Sequence, residues 1–180
     1  MEADPIMRSR ILEMVPQRHP FRFIEEILEL DEEHIVGAYR FRNDEYFYPG
    51  HFPGLPVTPG VILIETMAQT GVVAFGLYLN LLRGKGGRPM EDPVTLFTLA
   101  EQVEFSGVVR PGELVRVAGR KVYFRGNQLK VDCVMTRSDG DQVCSGTIAG
   151  KGVSRDKFTG EKERGSAPLI AGRVKEETGL

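Results

Sequence analysis

A long apolar segment in the middle of the chain limits what this sequence can fold into. Residues 61–82 read VILIETMAQTGVVAFGLYLNLL, an apolar run interrupted by polar side chains such as Glu65, Gln69 and Asn80. A helix of this length could cross a bilayer, but a carboxylate inside a membrane is costly. We therefore expect no membrane span. We expect a helix in the core of a soluble protein, covered on most sides by other elements.

The segments around this helix predict an antiparallel sheet. Residues 21–30 and 34–41 are interpreted as two strands, although FIEEILEL in the first also suits a helix. Four more strands are predicted after the helix, at residues 94–105, 113–124, 128–137 and 142–152. The short Gly-, Pro- and Asn-containing turns between these four favour antiparallel neighbours. The predicted class is α+β, with one long helix wrapped by the sheet.

Cap and turn residues set the expected boundaries. Thr58 is predicted to cap the long helix and Pro59 to be its first residue. A short leading helix is expected at residues 7–14, and the Gly-rich run 84–89 should end the long helix in a mobile loop. The folded domain is expected to span residues 1–153. Residues 154–180 are charged and lack periodicity, which predicts a poorly ordered tail.

Composition and charge exclude several classes of protein. A chain of 180 residues suits one domain with a tail, and a net charge of −2 gives no reason to expect nucleic-acid binding. The two cysteines are not in a metal-ligand spacing and are expected to be free thiols. No metal or cofactor is predicted. Because MEADPIMRSR has no apolar signal core, a cytoplasmic location is expected.

His51 and Glu65 are the residues that suggest chemistry. His51 lies in a loop rich in Gly and Pro, and an imidazole can act as a general base near neutral pH. Glu65 lies within the apolar helix, where lost hydration should raise the carboxyl pKa and favour a general acid. The N–H groups at the helix start, near Gly60, could bind an enolate oxygen. This arrangement suits a β-elimination of water.

Structural explanations of these residues stay open at this point. A single loop histidine is more often structural than catalytic. A buried glutamate on a helix is more often a hydrogen-bonded core residue or an interface group. Gln69, one turn after Glu65, could simply bond to its carboxyl group.

The segment that contains both residues resembles a family signature. Residues 51–69 read HFPGLPVTPGVILIETMAQ, similar to HFPGxPVxPGVxxxExMAQ in the 3-hydroxyacyl-acyl carrier protein dehydratases of type II fatty acid synthesis. The resemblance continues upstream in PQRHPFRFIEEILEL and downstream in VEFSGVVRPGELV, and it covers about residues 12–152. Glu65 matches the general elongation subtype (FabZ-type). VEFSGVV is more similar to the isomerising, aspartate-containing subtype (FabA-like).

The resemblance implies a hot-dog fold, and a homodimer whose active sites take the histidine from one subunit and the carboxylate from the other. A hexamer built as a trimer of dimers is the larger alternative. By position, His51 would be the base and Glu65 the acid. The other implied site residues are Gly60 through its N–H, Val57 through its carbonyl on the imidazole, Gln69 beside Glu65, and Phe52, whose peptide bond to His51 can be cis.

The implied reaction is dehydration of a 3-hydroxyacyl chain carried by acyl carrier protein, in fatty acid or related lipid or polyketide biosynthesis. The carrier would dock through basic residues, for which Arg110, Arg88 and Lys85 are candidates. One alternative is another enzyme on the same fold, either an acyl thioesterase or a coenzyme A-thioester hydratase. A non-catalytic acyl-binding subunit is the other.

Overall fold

The helices and strands follow the predicted order. The computed structural model describes residues 2–84 and 93–154. The helices are α1 (Pro5–Met14), α2 (Gly60–Ala68) and α3 (Phe75–Gly84), with a π-helical segment (Gln69–Ala74) joining α2 to α3. The strands are β1 (Glu26–Leu30), β2 (His34–Arg40), β3 (Pro93–Phe105), β4 (Leu114–Arg125), β5 (Gln128–Arg137) and β6 (Gln142–Ser154). Two strands, one long helix and four strands are therefore confirmed.

The strands form one six-stranded antiparallel sheet in the order β1-β2-β4-β5-β6-β3. The predicted turns between β4, β5 and β6 join neighbours. The prediction that the turn at residues 110–112 also joins neighbours is wrong, because β3 pairs with β6 and not with β4. This turn instead docks on the end of β2, where the N–H of Gly112 donates to the carbonyl of Phe41 (2.7 Å).

The long helix starts differently from the prediction. Pro59 occupies the N-cap position without a side-chain hydrogen bond, and the helix begins at Gly60. Thr58 is therefore not the cap; its hydroxyl hydrogen bonds to that of Tyr48 at 2.9 Å. The leading helix starts two residues earlier than expected, because the Asp4 side chain accepts a 2.8 Å hydrogen bond from the N–H of Met7.

Strand β1 is shorter than predicted at its N-terminal end. It begins at Glu26, whereas the predicted strand began at Phe21. The reason is that the backbone at Phe21 and Phe23 bonds to a side chain: Gln69 accepts from the N–H of Phe23 (2.7 Å) and donates to the carbonyl of Phe21 (2.9 Å). This segment is thus attached to the helix before it enters the sheet.

The long helix lies in the core of the fold. Residues Gly60–Gly84 are long and apolar enough to cross a bilayer, yet 78% of their most apolar stretch is buried against the rest of the chain. The π-helical segment is buried throughout. At Gly71 it approaches the sheet so closely that a Cβ atom would lie 2.6 Å from the Sγ atom of Cys133. The sheet therefore covers the helix as expected for the predicted class.

Strand β3 lies at one edge of the sheet and carries exposed apolar side chains. Leu96, Phe97, Leu99 and Phe105, which we call the edge patch, are 42%, 41%, 36% and 54% exposed. An exposed apolar edge strand is a surface that folded proteins usually cover or pair.

Two predicted features lie outside the described residues. One is the tail beyond Ser154, where β6 ends one residue past the expected domain boundary. The other is the loop after Gly84, with the docking candidates Lys85 and Arg88.

Candidate active site

A series of backbone turns holds His51. Its N–H donates to the carbonyl of Phe47 (3.1 Å), and its carbonyl accepts from the N–H of Val57 (3.0 Å). The peptide bond between His51 and Phe52 is cis, and the two rings stack with centroids 4.1 Å apart. The imidazole is half-buried, so part of the ring is open to a ligand.

The carbonyl of Val57 fixes the tautomer of the imidazole. The Nδ1 atom of His51 lies 2.9 Å from this oxygen. Because a carbonyl oxygen only accepts, Nδ1 must carry the proton in this hydrogen bond. The Nε2 atom then keeps a free lone pair when the ring is neutral, which is the form a general base needs. The predicted contact between Val57 and His51 is therefore present.

Burial lowers the acidity of the Glu65 carboxyl group. Glu65 lies on α2 and is half-buried, and burial raises the pKa of its carboxyl group, partly offset by the hydrogen bond from Gln69. The direction of this shift agrees with the sequence prediction. A raised pKa keeps more of the carboxyl protonated near neutral pH, as a general acid requires.

Gln69 connects Glu65 to the N-terminal part of the chain. The amide nitrogen donates to the Oε1 atom of Glu65 at 2.8 Å, and the same side chain bonds to the backbone of Phe21 and Phe23. Gln69 is fully buried. The sequence predicted its contact with Glu65 but not the two backbone contacts.

Gly60 combines a free backbone donor with close packing. At the first position of α2 its N–H has no acceptor within the helix. A Cβ atom at this position would lie 3.0 Å from the Cε1 and Cζ atoms of Phe105, so a larger residue would displace the ring. Phe105 was not among the predicted site residues. Its wide separation in sequence from Gly60 gives no signal that the two residues meet.

The structure places the predicted residues in two groups. His51, Phe52 and Val57 form one group in the loop, whereas Glu65 and Gln69 form the other on the helix. Within residues 2–84 and 93–154, no hydrogen bond or ion pair joins His51 to Glu65. Surface grooves of about 200 Å³ beside α1 and about 510 Å³ beside the end of α3 are lined by other residues.

Sequence reasoning missed the polar network under the His51 loop. The hydroxyl groups of Tyr48 and Thr58 bond to each other in the interior (2.9 Å), and the carboxyl group of Glu45 is buried beneath the loop. Glu45 and Tyr48 belong to NDEYFYPGHFPGLPV, which the sequence shows only as an irregular loop, and Thr58 follows directly after it. Acidic and aromatic residues in such a Pro/Gly-rich stretch were the signal available.

In the described part of the chain, the other histidines and the cysteines do not form a second site. His34 bonds to Glu29 and Asp31 on the surface, and His19 bonds to Arg42. Cys133 and Cys144 are buried free thiols, as predicted. Among the residues that the structure describes, no group of three or more His, Cys, Asp or Glu side chains is arranged to hold a metal ion.

Comparisons with known proteins agree with this fold. The family model of the FabA-like domain matches residues 15–147. The 3-hydroxyacyl-acyl carrier protein dehydratase FabZ of Caldicellulosiruptor bescii is 34% identical over 78% of this chain and 94% of its own length. FabZ of Acidiphilium cryptum is 36% identical over 84% of this chain and 86% of its own length. In the dehydratase heterocomplex ApeI:P from Xenorhabdus doucetiae, a chain 14% identical superimposes with a TM-score of 0.66 over 83% of this chain and 95% of its own.

A long helix wrapped by a six-stranded antiparallel sheet defines the class of protein, which is α+β with the hot-dog fold. The family match covers most of the folded domain, and relatives above 30% identity align over most of their length. The chain belongs to the FabA-like family.

Proposed function

We propose that this chain dehydrates (3R)-3-hydroxyacyl-acyl carrier protein to the trans-2-enoyl thioester, in fatty acid or related lipid or polyketide biosynthesis. The observation that carries the proposal is the hydrogen bond from Nδ1 of His51 to the Val57 carbonyl, which leaves Nε2 as a base. A carboxyl group with a raised pKa at Glu65 supplies the matching acid. Relatives that carry the FabZ dehydratase name support the same reaction.

Each residue has one task in the proposed reaction. The Nε2 atom of His51 removes a proton from C2, and the N–H of Gly60 hydrogen bonds to the enolate oxygen that develops on the thioester. The C3–O bond breaks as the carboxyl group of Glu65 donates its proton, so the hydroxyl leaves as water. His51 ends protonated and Glu65 ionised, and proton transfer between them restores the site. The elimination is redox-neutral, so it requires no oxidant or reductant.

The remaining site residues position these groups. Gln69 holds the carboxyl of Glu65 through its amide donor, while the Val57 carbonyl orients the imidazole. Phe52 stacks on the imidazole and is 52% exposed, which leaves part of its ring free to contact the acyl chain. Phe105 packs over Gly60, where it would border the thioester.

The proposal includes a homodimer in which each site takes His51 from one subunit and Glu65 from the other. Within the described part of one chain, His51 bonds to the Val57 carbonyl and Glu65 to Gln69, and neither bonds to the other. Sites shared between subunits are compatible with this arrangement. The edge patch supports the dimer, because pairing of β3 with a second copy would cover Leu96, Phe97 and Leu99. A hexamer would add further contacts between such dimers.

The proposed partner is acyl carrier protein in the cytoplasm. An acidic carrier would be attracted by exposed basic residues, and Arg110 is exposed on the turn before β4. The two free thiols are consistent with a reducing compartment.

Mass spectrometry of the carrier after reaction tests the proposed function. Carrier proteins loaded with 3-hydroxyacyl chains of several lengths are incubated with the protein, and loss of one water from the loaded carrier is expected. Release of the free carrier thiol would instead identify a thioesterase. Unchanged loaded carrier at every chain length would indicate a non-catalytic acyl-binding subunit. Parallel reactions with coenzyme A thioesters would reveal a coenzyme A-thioester hydratase if those were the preferred substrates.

A further inference from the structure

Glu45 is a buried acid that the proposed reaction does not use. It lies in the irregular loop between β2 and α2, and only 2% of the residue is exposed. Its Oε1 atom accepts a 2.5 Å hydrogen bond from the hydroxyl of Tyr39 and a 3.1 Å hydrogen bond from the N–H of Arg42. The guanidinium of Arg42 lies 3.6 Å from the same oxygen. A buried carboxyl group is costly to maintain, so its contacts require an explanation.

The contacts of Glu45 fall on one of its two oxygens. Within the described part of the chain, the buried Oε2 atom has no hydrogen-bond partner. Burial, followed by the hydrogen bond to Glu45, raises the pKa of Tyr39, so this phenol remains a donor over the working pH range. The carboxyl group thus ties the start of the loop to β2 through the Oε1 atom alone.

Backbone hydrogen bonds connect this anchor to the imidazole. The carbonyl of Glu45 accepts from the N–H of Tyr48 (3.1 Å), and the carbonyl of Tyr48 accepts from the N–H of His51 (3.3 Å). The carbonyl of His51 in turn accepts from the N–H of Val57 (3.0 Å), whose own carbonyl meets the Nδ1 atom of His51. A shift of Glu45 would therefore move two groups, the imidazole of His51 and the Val57 carbonyl that accepts its hydrogen bond.

We propose that Glu45 is a positioning residue for His51: by accepting hydrogen bonds from Tyr39 and Arg42 on Oε1, it fixes the turns that hold the imidazole against the Val57 carbonyl. Glu45 touches neither substrate nor reacting atoms in this scheme. Its effect on turnover rests on the proposed function, whereas its effect on the imidazole can be measured without substrate.

The tautomer of His51 separates this role from general support of the fold. The chain has three histidines, so ring nitrogen signals can be assigned by NMR with ¹⁵N-labelled histidine. The wild type should show His51 protonated on Nδ1. Glu45→Ala should give a mixture of Nδ1 and Nε2 tautomers and lower kcat by about 10- to 100-fold, with KM changed far less.

Glu45→Gln is the rescue variant. Its amide oxygen can replace Oε1 as the acceptor from Tyr39 and Arg42, and its NH₂ group replaces only the oxygen that has no partner. It should keep the wild-type tautomer and most of the turnover. Thr147→Val is the matched control for lost stability, because it removes a 2.7 Å hydrogen bond to Asp132 between β5 and β6, outside the loop. It should lower Tm without changing the His51 signal.

The tautomer of His51 is then measured in all of these variants. The proposal is overturned if Glu45→Ala leaves the His51 tautomer unchanged, as Thr147→Val should. It is also overturned if Glu45→Gln changes the tautomer as strongly as Glu45→Ala does. If Glu45→Ala does not fold, Tyr39→Phe is measured instead, because it removes one donor to the Oε1 atom of Glu45. It should move the tautomer ratio of His51 in the same direction by a smaller amount. An unchanged His51 signal in Tyr39→Phe would then refute the proposal. A changed tautomer in a protein that dehydrates no carrier-bound substrate would leave this inference intact and reject the proposed function.

Discussion

The amide nitrogen of Gln69 lies 2.8 Å from the Oε1 atom of Glu65, one helical turn earlier, and donates a hydrogen bond to it. The rest of the Gln69 amide is bound to the backbone of Phe21 and Phe23. The carboxyl group is thus oriented by the segment before β1 as well as by its own helix. This contact also opposes the effect of burial, because a donor to the carboxylate favours the ionised form.

Gln69→Leu should raise the pKa of Glu65 further. The variant removes the hydrogen bond that lowers this pKa and leaves the burial that raises it. If Glu65 is the general acid, the alkaline limb of the kcat/KM profile should move to higher pH. Measuring this profile with carrier-bound substrate tests the prediction. Asn80→Leu, a change of amide to leucine on the same long helix, is the control and should leave the limb in place. A shift to lower pH in Gln69→Leu would contradict the assignment of Glu65 as the acid.

Glu65→Gln should stabilise the folded protein at neutral and alkaline pH. A carboxyl whose pKa is raised by folding contributes stability below its unfolded pKa, near the ordinary value of 4.5, and that contribution is lost as pH rises through the folded pKa. A glutamine at position 65 cannot ionise, so it loses no stability as the pH rises. Its amide oxygen can still accept the hydrogen bond from Gln69. The difference in unfolding free energy should therefore grow as the pH rises above about 4.5 and level off above the folded-state pKa of Glu65. Urea unfolding at one protein concentration measures it; a difference that shrinks with pH would contradict the raised pKa.

His51→Ala and Glu65→Gln should each lower the rate of dehydration by about 10²–10⁴-fold, the usual contribution of a general acid or base. Single-turnover measurements with carrier-bound 3-hydroxyacyl substrate isolate the chemical step. Circular dichroism and gel filtration should show an unchanged fold and assembly. Turnover near the wild-type rate in either variant would remove that residue from the mechanism.

Subunits that each lack one catalytic group should complement each other. In a dimer with shared sites, pairing a His51→Ala subunit with a Glu65→Gln subunit leaves one site with both groups intact. Mixing the two inactive variants should therefore restore part of the activity. Subunit exchange is verified with differently tagged chains. Exchange without any recovered activity would mean that each site is built from one chain.

The protein should dehydrate its substrate but should not efficiently isomerise a trans-2 to a cis-3 double bond. Isomerisation needs proton removal at C4 and return at C2, and the longer Glu65 would place its carboxyl differently from an aspartate. Product analysis after supplying trans-2-decenoyl carrier protein measures this. Accumulation of the cis-3 isomer at a rate comparable with dehydration would contradict the prediction. Glu65→Asp would then show whether the reach of the carboxyl group matters.

The apolar segment predicted most of the architecture, because a helix without a polar face has to be covered by other elements. The strands after it were placed within about two residues at each end, since local turn residues mark their limits. Local patterns could not show that β3 pairs with β6 and not with β4, the strand that follows it in sequence. That choice depends on contacts far apart in the chain.

The residues proposed for the site could be named from the sequence, whereas the contacts that surround them could not. His51, Glu65 and Gln69 lie within one recognisable segment. Phe105 approaches Gly60 from far away in the sequence, and the burial of Glu45 depends on tertiary packing, so a single sequence reveals neither. The misplaced helix cap has a similar cause, because the hydroxyl of Thr58 bonds to Tyr48 and not to the helix N-terminus.

The π-helical segment Gln69–Ala74 shifts the phase of the long helix, as one inserted residue would. Every side chain from Phe75 onward is therefore rotated relative to Glu65 by about 100° compared with an unbroken α-helix. Deleting a single residue from this segment would restore the regular period and keep Glu65 and α3 facing the same neighbours, because the π-helical turn accommodates one extra residue. Forcing the same residues into an unbroken α-helix would instead turn either the acid or the apolar body of α3 away from its neighbours.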